Sequence, residues 1–119
     1  VKAKPVKLIN QQWVLVPTEE ATHVHMIFPV EFEPLQNRYI PIQLSGDREG
    51  TPNWSWNGDT EYPTLRPSIL TQFTWGEERT VYRCHSFVND GVVQFLSDCS
   101  HELKDKTVQL LEVTLEKCL

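Results

Sequence analysis

The stretch FVNDGVV, residues 87–93, is the strongest structural signal in the chain. Asp90-Gly91 tolerates the positive φ angles of a type I′ turn, and β-branched residues flank it on both sides. A β-hairpin is therefore predicted here. Its register decides what the neighbouring residues do, because a strand turns successive side chains to opposite faces. A two-residue turn sets His85 opposite Leu96 and Arg83 opposite Asp98. His85 and Asp98 are then diagonal neighbours on one face, roughly 7–8 Å apart along the backbone and within side-chain reach. Cys84 and Cys99 share the other face. A three-residue Asn89-Asp90-Gly91 turn with a bulge exchanges the partners: His85 joins Cys99, and Cys84 joins Asp98. The first register builds the imidazole–carboxylate pair a general base needs. The second builds a mixed thiol–imidazole face better suited to a metal.

Working outward, short β-rich runs punctuated by proline and glycine fill the chain. VKLINQQWVLVP holds two such pieces, and THVHMIFPV is another. RYIPIQL reads as a strand that Pro41 confines to an edge or bulge. Residues 45–65, SGDREGTPNWSWNGDTEYPTL, read as a long ordered loop with a short strand at WSW. PSILTQFTW, TVYRCHSFV and VVQFLSDC read as strands. The C-terminal TVQLLEVTLEKCL suits either period and is assigned as strand through Val108, Leu110, Val113 and Leu115. No linker or repeat interrupts the chain. The expectation is one mainly-β domain spanning residues 1–119, an antiparallel sandwich or a partly open barrel.

Bulk properties narrow the functional classes. A chain of 119 residues that is 39% hydrophobic and 23% charged can build a core. Its net charge of −5 argues against a nucleic-acid footprint. No apolar run reaches the ~20 residues of a membrane span. The N-terminal VKAKPVKLINQQW lacks the apolar middle of a signal peptide. The three cysteines are then expected as free thiols or metal ligands in a cytoplasmic protein.

WSWNGDTEYPTLRPSIL followed by RCHSFVNDGVVQFLSDCSH resembles a family of small phage and bacterial proteins, long left uncharacterised or labelled ammonia monooxygenase. The resemblance spans roughly residues 52–112 and rests on the order Trp-Asn-Gly, Pro-Thr, Pro-Ser, Cys-His, Asp-Gly, Asp-Cys-x-His. Members occur beside bacterial ubiquitin-like conjugation genes and are similar to serine-type peptidases that act on the modifier. The resemblance implies a hydrolase whose partner is a ubiquitin-like protein or another protein or peptide.

A serine hydrolase needs a nucleophile, a base and an orienting acid. Ser68 follows a proline and opens a predicted strand, which makes it the first candidate nucleophile. His85 would take its proton and Asp98 would hold the ring. Asn57, or backbone amides near Gly58, could supply oxyanion donors. This mechanism requires no cofactor. Ser86 is a weaker nucleophile, because an adjacent strand residue points away from His85. Trp54, Trp56 and Tyr62 either anchor the loop or form a wall for an extended peptide. Arg66 could hold a substrate carboxylate or lie solvated on the surface. Cys84, Cys99 and His101 could hold zinc, with His85, His23 or His25 as a fourth ligand, or the thiols could be buried small hydrophobes. Either cysteine could instead be a nucleophile. The alternative from another class is a zinc-stabilised, non-catalytic binding module of a phage or defence operon.

Overall fold

The computed structural model describes residues 1–42 and 54–113. The first part of the long tryptophan-bearing loop, together with Leu115 and Cys118, lies outside the described residues.

The chain is mainly β. Its strands are β1 (Lys4–Ile9), β2 (Gln12–Leu15), β3 (His23–Ile27), β4 (Asn37–Pro41), β5 (Ser55–Trp56), β6 (Leu65–Arg66), β7 (Ile69–Trp75), β8 (Thr80–Asn89), β9 (Val92–Phe95) and β10 (Thr107–Gln109). Two short 3-10 turns, Thr18–Glu20 and Glu33–Leu35, complete the regular structure, and the described residues form no α-helix. No helix among them is long and apolar enough to cross a membrane.

Two four-stranded sheets, ordered β2-β1-β3-β4 and β10-β9-β8-β7, are joined by a β5-β6 ribbon. Every strand pair is antiparallel. Both large sheets contribute to one core, with Val24, Met26 and Phe28 from one side and Cys84, Val88, Val93 and Phe95 from the other. The described residues form no closed barrel. Of the two expected shapes, the shared core between sheets matches the sandwich. Pro41 ends β4, an edge strand, where its missing N–H interrupts no inner ladder.

The β8–β9 hairpin takes the two-residue register. Asn89 pairs with Val92 and Ser86 with Phe95, while Asp90 and Gly91 have φ of 49° and 80°. Along β8, Cys84, Ser86 and Val88 are buried, whereas His85 and Phe87 point outward. Gly91 is required at the tip for a second reason. A Cβ there would stand 3.3 Å from the Glu61 carbonyl oxygen and 3.2 Å from Lys2 Cδ. Gly91 N–H donates to Pro63 O at 2.9 Å, and Asp90 N–H to Thr64 Oγ1 at 3.0 Å. The hairpin tip is thus clamped by the loop that leads into Ser68.

Two strand assignments need correction. VVQFLSDC forms a strand only to Phe95, and residues 97–98 make a turn. The reason lies in the backbone pairing: Leu96 N–H still donates to His85 O at 2.9 Å, but Cys99 N–H turns back to Leu96 O at 3.2 Å. The C-terminal strand is also shorter than expected: β10 covers Thr107–Gln109, Leu111 makes an isolated bridge with Ile27 of the other sheet, and Leu110 and Val113 lie outside any strand.

Candidate active site

Three side chains from different elements meet at the outer face of the second sheet. The β7–β8 register pairs Leu70 with His85 and Ile69 with Ser86. Ser68, just ahead of β7, therefore lies diagonal to His85 on the same face. Ser68 Oγ is 2.9 Å from His85 Nε2. On the far side of the ring, His85 Nδ1 lies 3.0 Å from Asp98 Oδ2 and 3.2 Å from Oδ1. A carboxylate can only accept, so the ring proton sits on Nδ1 and is donated to Asp98. Nε2 is left as the acceptor for the Ser68 hydroxyl. The His85 side chain is 24% exposed and that of Asp98 42%. A substrate can reach the ring, and solvent reaches the acid. A pocket of about 460 Å³ opens beside His85 and Asp98, lined also by Gln94, Ser97, Asp105 and Thr107.

The backbone of Ser68 is held from behind. Trp54 Nε1–H donates to the Ser68 carbonyl at 3.1 Å. Ser86 sits on the opposite face of the sheet, fully buried, and its hydroxyl has no hydrogen-bond partner among the described residues.

The loop residues proposed for binding take separate places. Trp54 is half-buried beside Ser68, whereas Trp56 is 8% exposed and packs in the core. Trp56 is therefore corrected from the surface wall to the interior, as expected where β5 turns its second residue inward. Tyr62 stays 59% exposed. Asn57 is committed to its own loop: Nδ2 donates to Tyr62 O at 3.1 Å, and Oδ1 accepts from Asp59 N–H at 3.2 Å and Thr64 N–H at 3.1 Å. Arg66 clamps the hairpin, donating to Leu65 O at 2.7 Å, Val88 O at 3.3 Å and Asn89 Oδ1 at 2.8 Å, with its guanidinium over the Phe87 ring.

On the inner face, directly behind this site, Cys84, Cys99 and His101 offer donor atoms that all lie within 4.8 Å of one another. The two cysteines are free and buried. Burial, reinforced by neighbouring Cys99, pushes the Cys84 thiol up to about 11. Arg38 lies beside Cys84 and its guanidinium bonds Thr71 Oγ1. The observed two-residue register already sets Cys84 and Cys99 on the face opposite His85 and Asp98, and the turn after β9 keeps that division. It carries Asp98 to the outer face and Cys99 and His101 to the inner one. His23 and His25 do not join the cluster. They lie on β3 of the other sheet, where His25 Nε2 bonds Asn37 Oδ1 at 2.8 Å and its ring stacks on Tyr39, while His23 bonds Thr22 Oγ1 at 2.9 Å. His85 is engaged by Ser68 and Asp98. The fourth ligand expected from these histidines is thus absent among the described residues.

Trp54 as a partner of the Ser68 carbonyl, and Arg38 as a neighbour of Cys84, had no signal in local sequence. Each depends on contacts between separate sheets or loops.

A family model described as "Bacterial ubiquitination-like system serine protease (BubE)" matches residues 36–96, which include Ser68 and His85 and stop two short of Asp98. No curated protein and no solved structure matches the chain. The match covers just over half of the 119 residues, and the chain belongs to this family.

Proposed function

With that membership as premise, we propose that the protein is a serine-type peptidase acting on a ubiquitin-like protein, either maturing a precursor or releasing the modifier from a conjugate. The observation that carries the reading is the continuous chain from Ser68 Oγ through both nitrogens of His85 to Asp98. In the proposed reaction, His85 Nε2 takes the hydroxyl proton as Ser68 Oγ attacks the substrate carbonyl carbon. Asp98 stabilises the imidazolium that forms, without taking the proton itself. The imidazolium then protonates the leaving amine, the C–N bond breaks, and an acyl-enzyme remains. Water, deprotonated by His85, attacks the ester and frees Ser68. The shallow pocket beside the ring suits an extended chain end better than a folded surface.

The test is active-site labelling. A fluorophosphonate should add to Ser68 in the native protein, with the site identified by mass spectrometry. Ser68→Ala should abolish both labelling and cleavage of a ubiquitin-like substrate carrying a C-terminal extension. Labelling elsewhere, or cleavage that survives Ser68→Ala, would end the proposal.

A second reading has its own observation: the thiol–imidazole cluster suits zinc, and a zinc-stabilised module could bind a partner without catalysis. Bound zinc combined with an unreactive Ser68 would favour it.

A further inference from the structure

We propose that Cys84, Cys99 and His101 bind a zinc ion that fixes His85 and Asp98 in place. The positioning half of this inference rests on the serine-peptidase reading, whereas the site itself stands alone. Two thiolates and one imidazole are a donor set that suits zinc over harder cations. With Zn–S bonds of ~2.3 Å, tetrahedral donors stand roughly 3.8 Å apart. The three donors here lie within 4.8 Å of one another, so a contraction of about an ångström, within what a turn can supply, completes the geometry. Two thiolates balance the ion's charge, and a water can take the fourth position. Arg38, beside Cys84, is placed to donate to a coordinated sulfur.

The second observation is an orphaned atom. His101 Nε2 is buried without a hydrogen-bond partner among the described residues, while Nδ1 is 3.3 Å from Leu103 N–H. If Nδ1 accepts that bond, Nε2 holds a proton that nothing takes. Such buried, unsatisfied groups are uncommon and call for a cause. A metal on Nε2 gives that atom a partner, at the cost of the long Leu103 contact, because the proton then sits on Nδ1 and faces another donor.

The link to the outer site is direct. Cys84 precedes His85 and Asp98 precedes Cys99, so each cysteine ligand adjoins a member of the proposed catalytic set. Cys99 Sγ accepts the His85 N–H at 3.3 Å and donates to His85 O at 3.2 Å. A metal thiolate keeps the first bond. It loses the second, but His85 O retains the Leu96 N–H at 2.9 Å. One ion would thus tie β8 to the turn that carries Asp98.

The purified chain should contain about one zinc per molecule by elemental analysis, and cobalt exchanged into it should show a thiolate charge-transfer band. His101→Phe preserves ring packing against Tyr82 and Phe95 and should lose the metal, whereas His101→Cys should keep it. Chelation should lower the melting temperature and slow fluorophosphonate labelling of Ser68 roughly tenfold. A folded protein that contains no zinc and takes up none on titration overturns the site. So does a Cys84–Cys99 disulfide in its place. Zinc removal without any change in Ser68 labelling overturns the positioning role. Native zinc-loaded protein that never labels at Ser68 sinks the peptidase reading but supports the site.

Discussion

Ser68 is constrained at both ends of its own residue. Its hydroxyl faces His85, and its carbonyl accepts from Trp54. Trp54→Phe should keep the ring and lose one hydrogen bond, costing about 1 kcal/mol of stability. If Ser68 is the nucleophile proposed above, loss of the bond to its carbonyl should lower kcat several-fold with KM nearly unchanged, as steady-state kinetics would show. Asp98→Asn should be far more severe. An amide that presents its N–H to Nδ1 favours the wrong ring tautomer, and kcat should drop by about 10⁴ while the melting temperature barely moves. At this scale the sequence held the candidates but not their meeting. Asp98 and His85 are linked by a hairpin that Asp-Gly announces. Ser68 and His85 are linked by Gly76-Glu77-Glu78-Arg79, a four-residue turn with Trp75 opposite Thr80. Counting back from that turn would have put both side chains on one face. It lacks the compact Asn-Gly signature that makes a register legible.

At the scale of elements, the hairpin tip and β3 carry testable energetics. Gly91→Ala forces a side chain into positive φ and against the Glu61 carbonyl. It should cost about 1–2 kcal/mol in chemical denaturation. In β3, burial holds the His25 imidazole below its ordinary pKa, despite the bond to Asn37. The unfolded chain therefore binds the proton more readily. Stability is fully present above the ordinary histidine value of about 6.5 and is lost as pH falls below it towards the depressed folded value. Denaturation midpoints should decline from pH 7.5 to pH 5.5, and His25→Gln should flatten part of that slope. Most strands could be read from β-branched runs and their breakers. The turn from Leu96 to His101 could not, because LSDCSH contains no proline or glycine. Its direction is set by backbone contacts: Ser100 N–H reaches Arg83 O at 2.9 Å, and Arg83 N–H reaches Ser100 Oγ at 2.8 Å.

For the whole molecule, the order of strands within each sheet was beyond local reasoning, because pairing partners are chosen by the common core. That core also makes a prediction. Phe28 and Phe95 are buried in the same cluster but belong to different halves of the chain. Phe28→Ala and Phe95→Ala should each cost about 3–5 kcal/mol. If residues 1–119 fold as one unit, each variant should shift a single transition seen identically by far-ultraviolet circular dichroism and tryptophan fluorescence. Two separated transitions would mean that the sheets unfold independently. The N-terminal segment strengthens the expectation of one unit. Lys2 and Ala3 N–H groups donate to Thr60 O at 2.8 and 3.1 Å, and Leu111 N–H donates to Ile27 O at 3.1 Å.

The alternation of β8, with thiol inward and imidazole outward, imposes a parity rule on chain length. Adding one residue between His85 and the hairpin tip would send the imidazole into the interior and bring the thiol to water, disarming both faces at once. Adding two at Asp90-Gly91 would restore every orientation but unseat the tip, because Gly91 N–H and Asp90 N–H are held by Pro63 O and Thr64 Oγ1. Descendants of this sequence are therefore held to both the parity and the length of this hairpin.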